Sequence, residues 1–269
     1  MNKDLVIAIA GSDGFVGSAL AARLRAEGHT VLPLPEEPGL LPGSDVLIHL
    51  DRESDAAGTR RLVSRLADAV SRPKVLLHAS SVDVYGHRPG EPLDESSPSG
   101  RSVRARACRA AESEALAAER LGIRVVLLRF GAVLDPSGGC LGRMLPLMRR
   151  GLCFVLGDPG DRFSWISLED GLRMIEFAMR TEPVRGPLNV TAPVAATQGA
   201  FARAAASLAG RRVLGRLRSR LLRRTLGVFS DIQDVAPAKA LQEGFGHVHP
   251  SLQFWMNSME APSPVREKA

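Results

Sequence analysis

An α/β fold built on a doubly wound parallel sheet is predicted by three observations. Apolar runs of strand length alternate with helix-length segments through the first half of the chain, the pattern of parallel strands joined by right-handed crossovers. The first run, Leu5 to Ala10, flows directly into Gly11-Ser12-Asp13-Gly14-Phe15-Val16-Gly17 and then a helical segment from Ser18. The 269 residues, 45% of them apolar, can bury one large core with a small appended lobe.

The glycine run is the opening of a Rossmann unit. Gly11 makes the tight turn, Gly14 lets backbone amides approach a pyrophosphate, and Gly17 allows close helix–strand packing. The helix N-terminus adds unpaired donors and a partial positive charge facing the anion. A strand before the glycines and a helix after them give the pattern its weight.

The remaining elements follow in order. Residues 29–34 read as a second strand and 45–50 as a third. A helix is expected over 55–71, with Leu62, Val63, Leu66 and Val70 on one face. Residues 74–79 form a further strand, 86–100 a Pro/Gly/Ser loop, 101–121 a helix, and Arg124 to Leu128 a strand. Only ten residues, Pro35 to Ser44, separate the second and third strands, too few for the strand and crossover of a standard half. The second strand then becomes the sheet edge, where Pro33 is tolerated because proline cannot donate to a ladder.

Beyond Gly131 the pieces shorten: helices near 140–150 and 168–180, strand-like stretches at Phe163 to Ile166 and Leu188 to Val190, then C-terminal helices. The expected organisation is a dinucleotide-binding core over 1–135. A segment over 136–260 completes the sheet and forms a small substrate lobe, and 261–269 is a frayed tail.

Charge and cysteine usage narrow the class. The net charge of +6 is local, because residues 211–224 hold seven arginines and no acid, and the rest of the chain sums to −1. Val213, Leu214, Leu217, Leu221 and Leu222 recur there at helical spacing, predicting an amphipathic helix with a solvated basic face. An anionic substrate or an acidic membrane surface is an alternative contact for it. No helix-turn-helix, zinc-finger or RNP pattern accompanies it, so no specific nucleic-acid partner is expected. No apolar stretch approaches the roughly 18 residues of a bilayer span, and residues 1–10 are too short and carry Asp4. Cys108, Cys140 and Cys153 show no C-x-x-C spacing. A cytoplasmic protein without a metal site is the expectation.

The stretch His78-Ala79-Ser80-Ser81-Val82-Asp83-Val84-Tyr85-Gly86, followed by Glu91-Pro-Leu-Asp-Glu95, resembles extended short-chain dehydrogenases/reductases of the NAD-dependent epimerase/dehydratase type. Arg124 to Leu134, Gly138-Gly139 to Leu145, Ser164-Trp165-Ile166 to Asp170, Gly186 to Pro193 and Ala240 to Phe245 are similar to an atypical, SulA-like branch of "epimerase family proteins". The resemblance extends to about residue 259. It implies a nicotinamide cofactor held by Gly11, Ser12, Gly14, Phe15, Val16, Gly17, Leu50, Asp51, Ala79 and Ser80. It also implies a hydroxylated, possibly sugar-nucleotide substrate at Ser81. Tyr85 and Asp83 border that position, either one a substitute acid, with a water as the other replacement for the dyad; packing of Tyr85 on its loop is the competing reading.

Two departures stand out. The superfamily's chemistry uses a tyrosine as acid/base and a lysine four residues later, since a free phenol near pKa 10 is a poor base at neutral pH. With Glu112 as anchor those positions fall on Arg104 and Cys108, and the single tyrosine of the chain is Tyr85. The Ala-Gly usual after the third strand is replaced by Asp51-Arg52, a carboxylate where phosphates and ribose would lie. Glu36, roughly 20 residues past the glycines, fits a ribose 2′-hydroxyl and repels a 2′-phosphate, favouring NAD over NADP; a solvated loop acid is its other reading. An enzyme and a dinucleotide-binding protein without turnover, contacting partners through the Arg-rich segment, both fit the glycine loop. Arg129 faces either a substrate anion or a core carboxylate, Trp165, His49 and His78 are expected in the core, and Asp170 as a helix cap.

Overall fold

The computed structural model describes residues 4–34, 41, 43–51, 55–217 and 233–260. The strands are β1 (Val6–Ala10), β2 (Thr30–Pro33), β3 (Val46–His49), β4 (Val75–Ser81), β5 (Pro92–Leu93), β6 (Arg124–Phe130), β7 (Ala132–Asp135), β8 (Phe154–Leu156), β9 (Arg162–Phe163), β10 (Trp165–Ser167), β11 (Gly186–Val190), β12 (Ala196–Thr197), β13 (Gly215–Leu217) and β14 (Asp234–Val235). The principal helices are α1 (Phe15–Ala26), α2 (Ala56–Ala67), α3 (Val103–Leu116), α4 (Gly139–Arg149), α5 (Leu168–Arg180) and α6 (Gln198–Leu208). A 3-10 turn, Val82–Tyr85, follows β4, and the helix Leu252–Glu260 ends the described chain.

Six parallel strands form the central sheet in the order β11-β6-β4-β3-β1-β2. One face packs on α1 and α5 through Ile7, Ile9, Leu20, Leu24, Leu77 and Ile175. The other packs on α2 and α3 through Leu47, Leu62, Leu66, Leu76, Ala115 and Leu127. Alternation along each strand sends successive side chains to opposite layers, and both layers are apolar, so the strands read as continuous hydrophobic runs. The doubly wound sheet follows the sequence expectation.

The edge also follows it. Among the described residues β2 pairs with β1 alone. Thr30 and Leu34 donate their N–H groups to Leu5 and Ile9, so alternation turns the nitrogen of Pro33 to the open side. A proline there forfeits no ladder hydrogen bond.

Three expectations need correction. The helix α2 stops at Ala67, and Val70 lies beyond it, 97% exposed, because Arg72 and the turn at 68–70 close the helix end. The helix over 211–224 is absent from its described part. Residues 211–214 have no regular structure and 215–217 are β13, pairing with β8. Gly210, at φ +65°, ends α6, and Leu214 then donates to Cys153. The Arg211 guanidinium caps the carbonyl of Arg149, and Arg216 binds the Gly157 carbonyl and Asp158. Local backbone partners outcompeted the apolar period. Residues 218–224 lie outside the described residues. Finally, α5 is capped by Ser167, whose hydroxyl accepts from the Asp170 amide; Asp170 instead accepts the amides of Val248 and His249 and pins the C-terminal segment.

A second hydrophobic cluster, Leu134, Leu141, Met144, Met148, Phe163, Trp165, Phe201 and Trp255 among its members, joins α4, α6 and the last helix beside the sheet. Trp165 is a core residue of it, as expected.

His49 and His78 face each other across β3 and β4 with Nδ1 atoms 3.0 Å apart. One ring must donate and the other accept, so both cannot be protonated at once. Burial, then the neighbouring His49, pushes His78 down to about 3, and burial lowers His49 against the opposing pull of Asp51. Nε2 of His78 is buried without a partner among the described residues. The folded state therefore binds fewer protons than the unfolded chain once pH drops below about 6.5. Stability should be complete above that pH and fall toward pH 4, by about 1.4 kcal/mol per pH unit for each histidine that stays neutral. Urea unfolding between pH 7.5 and 4.5 measures this, and His78→Leu should remove about one proton from the slope.

Candidate functional site

The opening turn is built from backbone packed on backbone. Gly11 adopts φ +72°, and its amide-bearing turn lies on the end of β3, where a Cβ would come within 2.9 Å of the Leu50 carbonyl and 3.1 Å of the Asp51 nitrogen. A Cβ on Gly17 would overlap the carbonyl of Gly11. Gly14 donates to the Gly11 carbonyl at 3.1 Å, closing the turn. These are the two close approaches that glycine alone permits.

Helix α1 starts at Phe15 with Gly14 as its N-cap, no side-chain capping bond and no acid in the first turn. Its leading amides point out of the turn, a geometry that suits a diphosphate. Ser12, Gly14, Phe15 and Val16 are all partly exposed, as are Leu50 and Asp51 at the end of β3 and Ala79, Ser80 and Ser81 at the end of β4. The sequence-predicted residues thus gather along the carboxyl ends of β1, β3 and β4, the ligand-binding edge of an open α/β sheet. The residues fit a dinucleotide. Glu36 and Arg52 lie outside the described residues.

Beside this edge, one face of α3 runs along the end of β4. Arg104 sits 3.5 Å from Asp83, the Cys108 thiol meets the backbone of Ser81, and Glu112 accepts from the Ser80 hydroxyl at 2.6 Å. Spacing of four residues stacks all three on one side of the helix. Burial and the acids Asp83 and Glu112 push Cys108 up to about 11, so it stays a thiol at neutral pH. The Ser81 hydroxyl accepts from the Asp83 amide at 3.1 Å and caps the 3-10 turn.

The sequence expectation for Tyr85 is corrected here. Its ring is fully buried, and its hydroxyl donates to Asn189 at 2.8 Å while accepting from Arg129 at 2.9 Å. Burial raises its ionisation above the ordinary phenol value despite the nearby Arg129. A phenol so enclosed cannot meet a substrate. It belongs to a buried polar chain: Ser80, Glu112, Arg129, Tyr85, Asn189. Arg129 forms a two-pronged pair with Glu112 at 2.9 and 2.8 Å, which settles its partner as a core carboxylate. Asn189 continues to the Ala236 carbonyl, and Gln233 ties that strand to Val82 and Gly86. These contacts are not visible in the local sequence: Tyr85 and Ala236 lie 104 and 47 residues from Asn189, and Val82 and Gly86 lie 151 and 147 residues from Gln233.

Ser167, His249 and Asp170 also form a compact group, with Ser167 Oγ 2.9 Å from His249 Nδ1. Their side chains are buried under the C-terminal segment. The group holds that segment and offers no access to substrate. Among the described residues, no cluster of three His, Cys, Asp or Glu side chains is placed to bind a metal, and no helix is long and apolar enough to cross a membrane.

Comparison with known proteins agrees with this arrangement. The family model "NAD dependent epimerase/dehydratase family" matches residues 49–190. Epimerase family protein Mb2239 of Mycobacterium bovis is 33% identical over 92% of this chain and 95% of its own. The chloroplastic Arabidopsis thaliana homologue of epimerase family protein SDR39U1 is 28% identical over 90% of this chain and 83% of its own. The structure of human SDR39U1 with NADPH superimposes with a TM-score of 0.81 at 26% identity, covering 94% of this chain and 98% of that one. A nucleoside-diphosphate sugar epimerase from Corynebacterium glutamicum gives 0.77 at 29% identity over 96% of this chain, which spans 58% of that protein's chain.

Removing one member of the buried pair leaves an uncompensated charge. Glu112→Ala should therefore destabilise by about 3–5 kcal/mol. Tyr85→Phe, which removes a neutral hydroxyl from the same chain, should cost about 1–2 kcal/mol. Urea unfolding at pH 7 ranks them, and equal effects would remove the charge argument.

Proposed function

The chain belongs to the NAD dependent epimerase/dehydratase family, and on that premise we propose that it binds a nicotinamide dinucleotide and acts on a small hydroxylated substrate at Ser81. The observation that carries this reading is the glycine turn: an uncapped helix N-terminus at the carboxyl edge of the sheet, packed against Leu50 and Asp51. When bound, the nicotinamide supplies the hydride chemistry. Gly11, Gly14 and the amides of Phe15, Val16 and Gly17 would hold its diphosphate, with Ala79 and Ser80 lining the approach.

The chain's own residues take the proton. Ser81, partly exposed at the end of β4, orients the substrate oxygen. Asp83, whose amide donates to the Ser81 hydroxyl, is a partly exposed carboxylate with the Arg104 guanidinium alongside. On oxidation of an alcohol the hydroxyl proton passes to the Asp83 carboxylate, and the reverse step returns it to the carbonyl oxygen. A carboxylate–guanidinium pair thereby takes over the role of the tyrosine–lysine pair, whose own positions hold Arg104 and Cys108. The substrate is an unidentified hydroxylated compound, with a sugar nucleotide as one class.

A second reading, a dinucleotide-binding protein without turnover, is favoured by Arg104 and Cys108 at the dyad positions. A panel of hydroxylated substrates, sugar nucleotides included, offered with NAD and NADP separates the two. Turnover that falls at least about a hundredfold in both Ser81→Ala and Asp83→Asn supports the enzyme and Asp83's role. Calorimetric binding of a dinucleotide with no turnover across the panel supports the second reading.

On cofactor choice we favour NAD, because Glu36 follows the glycines by roughly 20 residues in the sequence, the spacing at which an acid repels a 2′-phosphate; the human relative carries NADPH. Glu36→Arg should shift the NADPH-to-NADH affinity ratio upward by about tenfold or more in calorimetric titration. An unchanged ratio removes Glu36 from the cofactor site.

A further inference from the structure

Phe15 is the one aromatic residue of the glycine turn and stands at the first position of α1. Its ring lies across Gly138 and Gly139. A Cβ on Gly138 would come within 2.5 Å of Phe15 Cε2, and one on Gly139 within 3.1 Å of Cε1. The ring therefore rests on bare backbone, without side chains between.

That backbone has little freedom to yield. Gly138 and Gly139 bridge back to Asp135 and Leu134 at the end of β7, and Gly139 holds φ +63°. Gly138 is the N-cap of α4, whose Cys140, Leu141, Met144, Leu145 and Met148 are buried in the second hydrophobic cluster. The seat is thus fixed by two elements, β7 and α4, that belong to the far side of the site. The glycines of the turn itself have no side chains with which to fix its position.

We propose that Phe15, seated on Gly138 and Gly139, is a positioning residue that holds the diphosphate-facing amides of α1 against α4, so that dinucleotide binding and the packing of the second cluster are coupled. This rests on the dinucleotide reading given above. The amide of Phe15 opens the helix at the anion site, and its side chain reaches α4; a shift of the ring is transmitted to the amide through one Cα. Interiors pack too densely to absorb such a shift elsewhere.

The test is a double-mutant cycle read by NADH and NADPH calorimetry on the full chain, with thermal unfolding to establish folding. Gly138→Ala should weaken binding about tenfold by displacing the ring. In a Phe15→Ala background, where no ring remains to displace, Gly138→Ala should change affinity less than about twofold. A structural effect of the alanine on α4 would weaken both backgrounds alike, and that result overturns the proposal, as does unchanged affinity in the single variant. Should Gly138→Ala fail to fold, Phe15→Ala decides: wild-type affinity overturns the proposal. Hydrogen exchange gives an independent readout. NADH should slow exchange at the amides of α4 in the wild type and leave them unchanged in Phe15→Ala; protection equal in both refutes the coupling. Failure of the wild type to bind either dinucleotide removes the functional reading and this inference together, whereas binding with additive variants removes the inference alone.

Discussion

The buried pair of Glu112 and Arg129 is the constraint around which the site is arranged. Two charges with side chains less than a tenth exposed hold each other through parallel hydrogen bonds. Such a pair gains little over an apolar alternative of the same volume, yet losing one partner strands a charge in the core. Its value here is therefore geometric. Glu112 reaches from α3 to Ser80 on β4, and Arg129 reaches from β6 to Tyr85 in the 3-10 turn. Through Tyr85 the chain passes to Asn189 on β11 and so to the strand at Asp234–Val235. One ion pair thus fixes the helix that carries Arg104 and Cys108 relative to the strand end that carries Ser81.

The glycine turn answers to a different physics. No charge is buried there; close backbone contact excludes every side chain at Gly17 and leaves the amides of α1 facing outward. The two halves of the site are consequently stabilised by unlike means, polar on the α3 side and steric on the α1 side. Ser81 lies between them.

The legible parts of the sequence were those governed by local rules. Strand alternation, the glycine spacing and the proline at the edge each act within a few residues, and they marked the sheet order at β2 and the position of the turn. The shared face of Arg104, Cys108 and Glu112 was also legible, because helical spacing fixes it. Tyr85 was not. Its neighbours in sequence place it at the site, while its burial is decided by Arg129 and Asn189, 44 and 104 residues away. The Arg-rich segment failed for a related reason: its apolar period is helical, but β8 supplies backbone partners that a helix could not use. Glycines 138 and 139 stood out only as part of a stretch that carries the family resemblance, and nothing in the sequence joins them to Phe15.

The open side of β2 bears on how copies of this molecule can meet. A bare strand margin ordinarily invites another chain to lie alongside and prolong the sheet. Here the ladder position of Pro33 offers no hydrogen to an incoming carbonyl, and the proline ring intrudes where that neighbour would run. Association by merging sheets is thus discouraged at this margin, among the described residues.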